Sequence, residues 1–361
     1  MDNIDLRNIF VCPQCGGEIE FSSELWKCLN CSMQWRVDEY GIVHFTENNV
    51  FFGSDQAGMN SLLNEMQKMS REVFFNNIGR LEEAYEDFDY DYCLNSARAD
   101  WTILGNFKDK VVVDLGCGYG TLSVPLALSA RAVIAVDICE ERLKFLSIIA
   151  GLRGINNIWF VHTDAFKLAL RKSTIDAIIL FGLLEYAGAW NLEKKGKRFP
   201  IELLSHIHSF LNQGGQLWIG TGNILNPQYL LGLTENYDLP FTPSRSMSIA
   251  DILTGAVRRS RYISHIYTKW GYRRILRSSG YRDINIHYIF YDFKSLKLLI
   301  PDDRSRLLYR YITESGMDTV KESLKYNIAL KIIKLLDWLG LYGVFGPAFI
   351  IKANRDVVTP I

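Results

Sequence analysis

Four cysteines and one glycine cluster are the residues whose spacing could do chemistry. Cys12-x₂-Cys15 and Cys28-x₂-Cys31 are separated by twelve residues, the arrangement in which two thiolate pairs close on one metal. Four sulfurs suit Zn2+ and leave no open coordination position, so such a site is structural or partner-binding rather than catalytic. Two redox-active C-x-x-C pairs without metal are the alternative. The second feature is Val111-Val112-Val113-Asp114-Leu115-Gly116-Cys117-Gly118-Tyr119-Gly120. Its glycines permit a sharp turn with φ > 0 and let a ligand approach the backbone. Asp137 ends the next apolar run, and a carboxylate there can accept both hydroxyls of a ribose, as in dinucleotide-binding βαβ units.

The elements around these residues follow from periodicity. Three valines predict a strand before the glycine turn, Thr121 to Ala130 a helix after it, and Ala132 to Val136 a second strand. A second helix opens at Ile138-Cys139-Glu140-Glu141-Arg142. Asn157 to His162 is a third strand leading into Thr163-Asp164-Ala165, and Ile175 to Phe181 a fourth, ending at Gly182-Leu183-Leu184-Glu185-Tyr186. This alternation implies a parallel sheet covered by helices. Pro200 to Leu211 reads as an amphipathic helix ended by Asn212-Gln213-Gly214-Gly215, with Gln216 to Gly220 as the fifth strand. Lys269 to Ser279 reads as a helix closed by Gly280, and Asp283 to Tyr291 as a sixth strand. In open parallel sheets ligands sit outside the carboxyl ends of the strands, where all the singled-out loops fall.

The acid two residues before the first glycine, and the spacing itself, differ from G-x-G-x-x-G. The pattern resembles the D-x-G-x-G-x-G signature of class I S-adenosylmethionine (SAM) methyltransferases, over roughly residues 95–222. The resemblance implies a doubly wound, mostly parallel, seven-stranded α/β sheet, whose final strand, near Gly346 to Lys352, inserts between the fifth and sixth. It also implies a SAM site of Asp114, Gly116, Cys117, Gly118, Gly120, Asp137, Ile138, Asp164, Ala165 and Phe181, with Asp164 on the adenine amino group. Asn95 to Leu104, holding Arg98 and Trp101, is the helix that would lie across the cofactor. The cysteine unit resembles small zinc ribbons that precede some bacterial methyltransferase domains. A nicotinamide-binding domain, and a doubly wound domain without nucleotide, are the alternatives.

The expected organisation is a zinc ribbon over 1–48, a helical linker or lid over 49–110, the SAM core over 111–222, a substrate-side insertion over 223–268, and a C-terminal part over 269–361 with a helical insertion at 302–341. The 361 residues are 48% hydrophobic and carry zero formal net charge. That balance argues against bulk nucleic acid as partner. No signal peptide or membrane span is read from the chain, and isolated thiols fit a reducing cytoplasm, with the inner face of the membrane as an alternative location.

Nothing after the fourth strand matches the Asn/Asp-Pro-Pro-Tyr signature of many amino methyltransferases, which shifts weight toward oxygen or carbon acceptors on a small molecule or glycan. Glu185 and His265 are the candidate general bases. The basic run Arg258 to Arg282 reads either as a solvated surface or as an anchor for a phosphate-linked acceptor. An RNA or protein methyltransferase using the ribbon for docking is the competing function. The acidic run Glu82 to Asp91 reads as a solvated face, with a binding role as the alternative.

Overall fold

The computed structural model describes residues 6–186, 199–226, 266–292, 295–304, 342–346 and 348–356, and positions 331, 335, 338 and 339. Two compact units divide the chain. The first comprises 1–181, 205–217 and 355–361, and the second 182–204 and 218–354.

In the first unit, β1 (Ile19–Phe21), β2 (Leu25–Cys28) and β3 (Gln34–Arg36) form a three-stranded antiparallel sheet. β4 (Ile42–His44) follows. Then come α1 (Gln56–Met66), α2 (Arg71–Asn76), α3 (Ile78–Ala84), α4 (Tyr90–Cys93) and a 3-10 helix, Ser96–Leu104. Local caps start several of these: Asp55, Ser70, Asp89 and Asn95 each accept a backbone N–H of the next turn. Part of the acidic run is spent this way. Asp89 caps α4, Asp87 takes the N–H groups of Ser54 and Asp55, and Glu82 takes that of Tyr90.

β5 (Val111–Leu115), α5 (Ser123–Ala127), β6 (Ala132–Asp137), α6 (Glu140–Leu152), β7 (Ile158–His162) and β8 (Ile175–Phe181) complete the alternation. β5 and β6 are buried along their whole length, as β-branched strands with both faces covered must be. β5 pairs in parallel with β6 and β8, and β6 with β7. α7 (Phe199–His208), β9 (Leu211–Gly222), α8 (Lys269–Ser278), β10 (Tyr281–Asp292), β11 (Ser295–Pro301) and β12 (Ala348–Arg355) follow.

The hydrogen-bonded order is β11-β10-β12-β9-β8-β5-β6-β7-β4. The seven expected strands are present in the expected order, with the last inserted between the fifth and sixth, and each edge carries one strand more. β11 adds as a hairpin on β10. β4 comes from the cysteine-bearing segment and lies parallel to β7, in the register Ile42↔Phe160 to His44↔His162.

Residues 6–48, the described part of the expected ribbon, therefore do not stand apart from the core. Phe10 bridges to Leu170, Val11 donates to the Ala169 carbonyl at 3.0 Å, and Trp26 and Phe10 lie 6.0 and 5.6 Å from the Trp159 ring. So few residues cannot bury enough apolar surface alone, and the aromatic cluster is completed by the α/β sheet.

The largest departure from the expected element boundaries lies between α7 and β9. α7 ends at His208, and Asn212 to Gly215 belong to β9 rather than to a helix stop. Gly214 takes φ +74° within the strand, while the Asn212 amide donates to Asp176 at 2.6 Å. The other Asp176 oxygen accepts the Val111 N–H at 2.8 Å, so one carboxylate secures the starts of β5 and β9. The helical insertion expected at 302–341 and the substrate-side insertion at 223–268 lie largely outside the described residues.

Candidate functional site

The turn after β5 has the left-handed backbone that its glycines allow. Gly116, Gly118 and Gly120 have φ of +73°, +54° and +83°. The Gly116 and Cys117 N–H groups donate to the Val136 carbonyl at 2.8 and 3.0 Å, which folds the turn back over the end of β6. There Asp137 waits, nearly buried. Its Oδ2 accepts the Gly118 N–H at 2.8 Å and its Oδ1 the Cys139 N–H at 2.9 Å. Each oxygen keeps a second lone pair for a ligand hydroxyl. A Cβ placed on Gly118 would meet nothing within 4 Å, so the backbone there borders open space.

Asp114 is buried and accepts from Ser123 Oγ at 2.6 Å. Burial, seconded by the charge of Asp137, pushes its carboxyl up to about 6, while Ser123 and the Arg98 charge pull it back. Arg98 donates to the Tyr92 carbonyl at 2.9 Å and packs over the Tyr92 ring. It is a second charge acting on Asp114, and the expected covering helix supplies it. Trp101 of the same helix stacks on Phe181 at 4.8 Å. Asp164 closes a turn by accepting the Phe166 N–H at 2.8 Å, and Asp164, Ala165 and Ile138 are half-buried. The SAM-site residues expected from the sequence thus lie at the carboxyl ends of β5, β6 and β8 and on the turns after β5, β6 and β7.

Arg142 and Glu141, which the sequence did not single out, fix the segment after the ribbon. Glu141 accepts from Asn49 and Gln56, Arg142 donates to the Phe52 carbonyl at 2.9 Å, and Val50 donates to the Ile138 carbonyl at 3.2 Å. An Asn-x-x-Phe stretch gives no local signal of such docking.

A family model described as a methyltransferase domain matches residues 106–245. The ubiquinone biosynthesis O-methyltransferase of Parvibaculum lavamentivorans is 30% identical over 135 residues, 35% of this chain and 49% of that protein. The matched segment, residues 106–245, is a methyltransferase domain. The 23S rRNA (uracil(1939)-C(5))-methyltransferase RlmD of a Marinomonas species is 38% identical over 84 residues, 22% of this chain and 19% of that protein. The chain thus spans about half the length of the first of these relatives and about a fifth of the second. A solved SAM-dependent methyltransferase from Archaeoglobus fulgidus is 19% identical, with a TM-score of 0.42, covering 73% of this chain and 93% of that one.

Of the two candidate bases, His265 lies outside the described residues. Glu185 is described and is buried, at 3% exposure, in the 3-10 turn Leu184–Tyr186. Its charge acts on Tyr272, whose hydroxyl burial already holds well above the ordinary tyrosine range. The Tyr272 hydroxyl donates to the Gly222 carbonyl at 3.1 Å and accepts the Tyr267 N–H at 3.3 Å, with Thr221 Oγ1 at 2.7 Å. Glu185, expected at the carboxyl edge after the fourth strand, is thus a buried acid whose charge reaches the Tyr272 hydroxyl.

Part of the basic run is already neutralised. Lys269 and Arg273 pair with Asp302 at 2.7 and 2.6 Å, and Tyr288 donates to the same carboxylate at 2.8 Å. These two cations are therefore balanced by an acid from beyond the run, which the sequence alone did not pair with them.

The four ribbon sulfurs converge, all within 4.8 Å of one another. Cys12 Sγ lies 3.6 Å from Cys31 Sγ, and Cys15 Sγ 3.5 Å from Cys28 Sγ. Sulfurs on a tetrahedral zinc at about 2.3 Å stand about 3.8 Å apart, so the donor set and its spacing fit the ion. The backbone N–H of Cys31, with that of Asn30, pulls the Cys28 thiol down to about 6, whereas Cys15, despite the Gly17 N–H, is pushed up to about 12 by the neighbouring thiols and burial. Gly16 at φ +72° turns the first pair, its N–H donating to the Cys12 carbonyl at 2.8 Å.

Among the described residues, no helix is long and apolar enough to cross a membrane.

Proposed function

We propose that this chain transfers the methyl group of SAM to an oxygen or carbon of a small-molecule or glycan acceptor. The observation that carries the reading is the left-handed glycine turn bordered by open space at Gly118 and tied to the Asp137 carboxylate. SAM brings an activated methyl group on a sulfonium, so the protein's contribution is chiefly positioning and exclusion of water. Asp137 would take the ribose hydroxyls, Asp164 with Ala165 the adenine, Ile138 and Phe181 its flanks. Asp114 and Arg98 would hold the charged amino-acid end, with the backbone of Gly116, Cys117, Gly118 and Gly120 shaping the floor. Glu185 and His265 are the residues assigned to accept an acceptor proton. We also assign a structural zinc to Cys12, Cys15, Cys28 and Cys31.

The likeness to a ubiquinone O-methyltransferase supports an oxygen acceptor, and the zero net charge supports an acceptor other than bulk nucleic acid. Isothermal calorimetry with SAM, followed by transfer of tritiated methyl to small-molecule, glycan and RNA fractions, tests the reading. Absence of SAM binding overturns it, and label in RNA alone replaces the acceptor class.

Asp137→Ala is expected to weaken SAM by roughly 1–3 kcal/mol, since ligand hydroxyls and the Gly118 N–H lose their acceptor. An unchanged dissociation constant by calorimetry would remove Asp137 from the site.

A pH dependence follows from Asp114. Its folded carboxyl lies near 6, above the ordinary 3.8. Stability from the protonated acid is full below that ordinary value and is lost as pH rises through about 6. A cationic ligand beside it favours the ionised form, so SAM affinity should rise between pH 5 and pH 7. Asp114→Asn should flatten that slope, which calorimetry at the two pH values would show.

A further inference from the structure

Two histidines meet where β4 lies against β7. His44 and His162 are buried, at 2% and 1% exposure, and their Nδ1 atoms face each other at 3.0 Å. The far nitrogen of each ring is committed. His44 Nε2 lies 3.0 Å from Asp38 Oδ2, and His162 Nε2 lies 3.1 Å from the Ile138 carbonyl. A carbonyl only accepts. Asp38 is likewise an acceptor, its other oxygen taking the N–H groups of Ile42 and Tyr40 at 3.0 Å. Both Nε2 atoms therefore carry the hydrogen, and in the neutral rings both Nδ1 atoms are bare lone pairs aimed at one point.

Two facing lone pairs repel unless something electrophilic lies between them. An Arg36 N–H reaches His44 Nδ1 at 3.3 Å, but among the described residues the only partner of His162 Nδ1 is the other histidine. Glu140, first residue of α6, brings a carboxylate oxygen within 4.8 Å of a ring nitrogen of each histidine. Lys144 holds Glu140 Oε1 at 2.7 Å, and Arg36, half-exposed, lies 3.8 Å from Oε2. Oε2 is thus the oxygen that turning Arg36 to solvent would release.

We propose that His44 Nδ1, His162 Nδ1 and Glu140 Oε2 form a second metal site, for a divalent transition ion of the zinc type. Nitrogens at about 2.0–2.1 Å from one zinc stand about 2.9 Å apart at a right angle and about 3.3 Å at the tetrahedral angle, which brackets the 3.0 Å observed. The outer partners are of the usual kind, a carboxylate on one ring and a backbone carbonyl on the other. A shared proton is the rival occupant. A metal here would rivet β4 to β7 and to the first turn of α6, directly after the Asp137 turn.

The test is titration of the metal-free full chain with Co2+ and Zn2+. Wild type should take up two equivalents. The cysteine site gives the thiolate-to-cobalt charge-transfer band, and the second equivalent should add only weak ligand-field bands. His162→Ala should take up one equivalent. Glu140→Gln should weaken the second by at least tenfold, and Asp38→Asn by roughly 10–100-fold, leaving the cysteine site unchanged. Should His162→Ala fail to fold, the wild-type count and the Glu140→Gln shift decide. Saturation at one equivalent overturns the proposal, as does a second equivalent indifferent to Glu140→Gln. So does nitrogen-15 NMR showing a proton shared between His44 and His162 in zinc-saturated protein.

Discussion

Cys28→Ser is expected to lower the melting temperature of the whole first unit. On the proposed zinc reading, the substitution removes one of four ligands whose sulfurs lie within 4.8 Å of each other. Apparent binding energies of structural zinc are about 10–16 kcal/mol in small ribbons, and they act as folding energy. The ribbon also has no core of its own. Trp26 packs 5.0 Å from Phe10 and 6.0 Å from Trp159, and the polypeptide runs on into β4 of the large sheet. Losing even about 4 kcal/mol would shift the melting point by roughly 8–16 °C for a unit of this size. Calorimetry should show one cooperative transition moved downward, with zinc absent from the purified variant. A separate low-temperature transition with the main one unmoved would mean that the ribbon folds independently.

Gly120→Ala should cost roughly 2–5 kcal/mol of stability, while Gly118→Ala should be cheaper to fold and worse at binding. At Gly120, φ is +83° and an added Cβ would collide with Leu146 Cδ1. The left-handed backbone contributes about 1–2 kcal/mol and overpacking about 1–3. Leu146 is wholly buried on α6, so it has little room to yield. Gly118 shares the left-handed strain at φ +54°, but its Cβ would meet nothing. That methyl group would instead occupy the space assigned to the cofactor. Urea unfolding and SAM titration of both variants separate the roles. Equal loss of stability in the two would show that only backbone strain matters.

Much of this was legible because the chemistry is local. Val111-Val112-Val113 can do little but form a buried strand, and three alternate glycines after an acid define a left-handed turn. The four cysteines read as a site because each pair is closed by its own turn. What escaped depends on partners far along the chain. Ile42-Val43-His44 is too short to announce a strand, and its partner β7 lies over a hundred residues on, His44 meeting His162 at a separation of 118. The pairing of Lys269 and Arg273 with Asp302 is of the same kind. The burial of Glu185 is likewise a matter of packing that its place after a strand does not reveal. The stop expected at Asn212 to Gly215 misread the asparagine. Its amide reaches the start of β8, where Asp176 lies, and not the end of α7.

β4 has a meaning for how this chain avoids its own kind. Without it, the five residues of β7 would end the parallel sheet with a row of unused N–H and C=O groups, Trp159 among them, ready to template another strand. With it, the rim is three residues long and continues into the cysteine-rich fold. A chain shortened to begin after residue 48 should therefore be prone to self-association as well as lacking a metal. Engineers seeking a minimal catalytic fragment would do better to retain the first 48 residues.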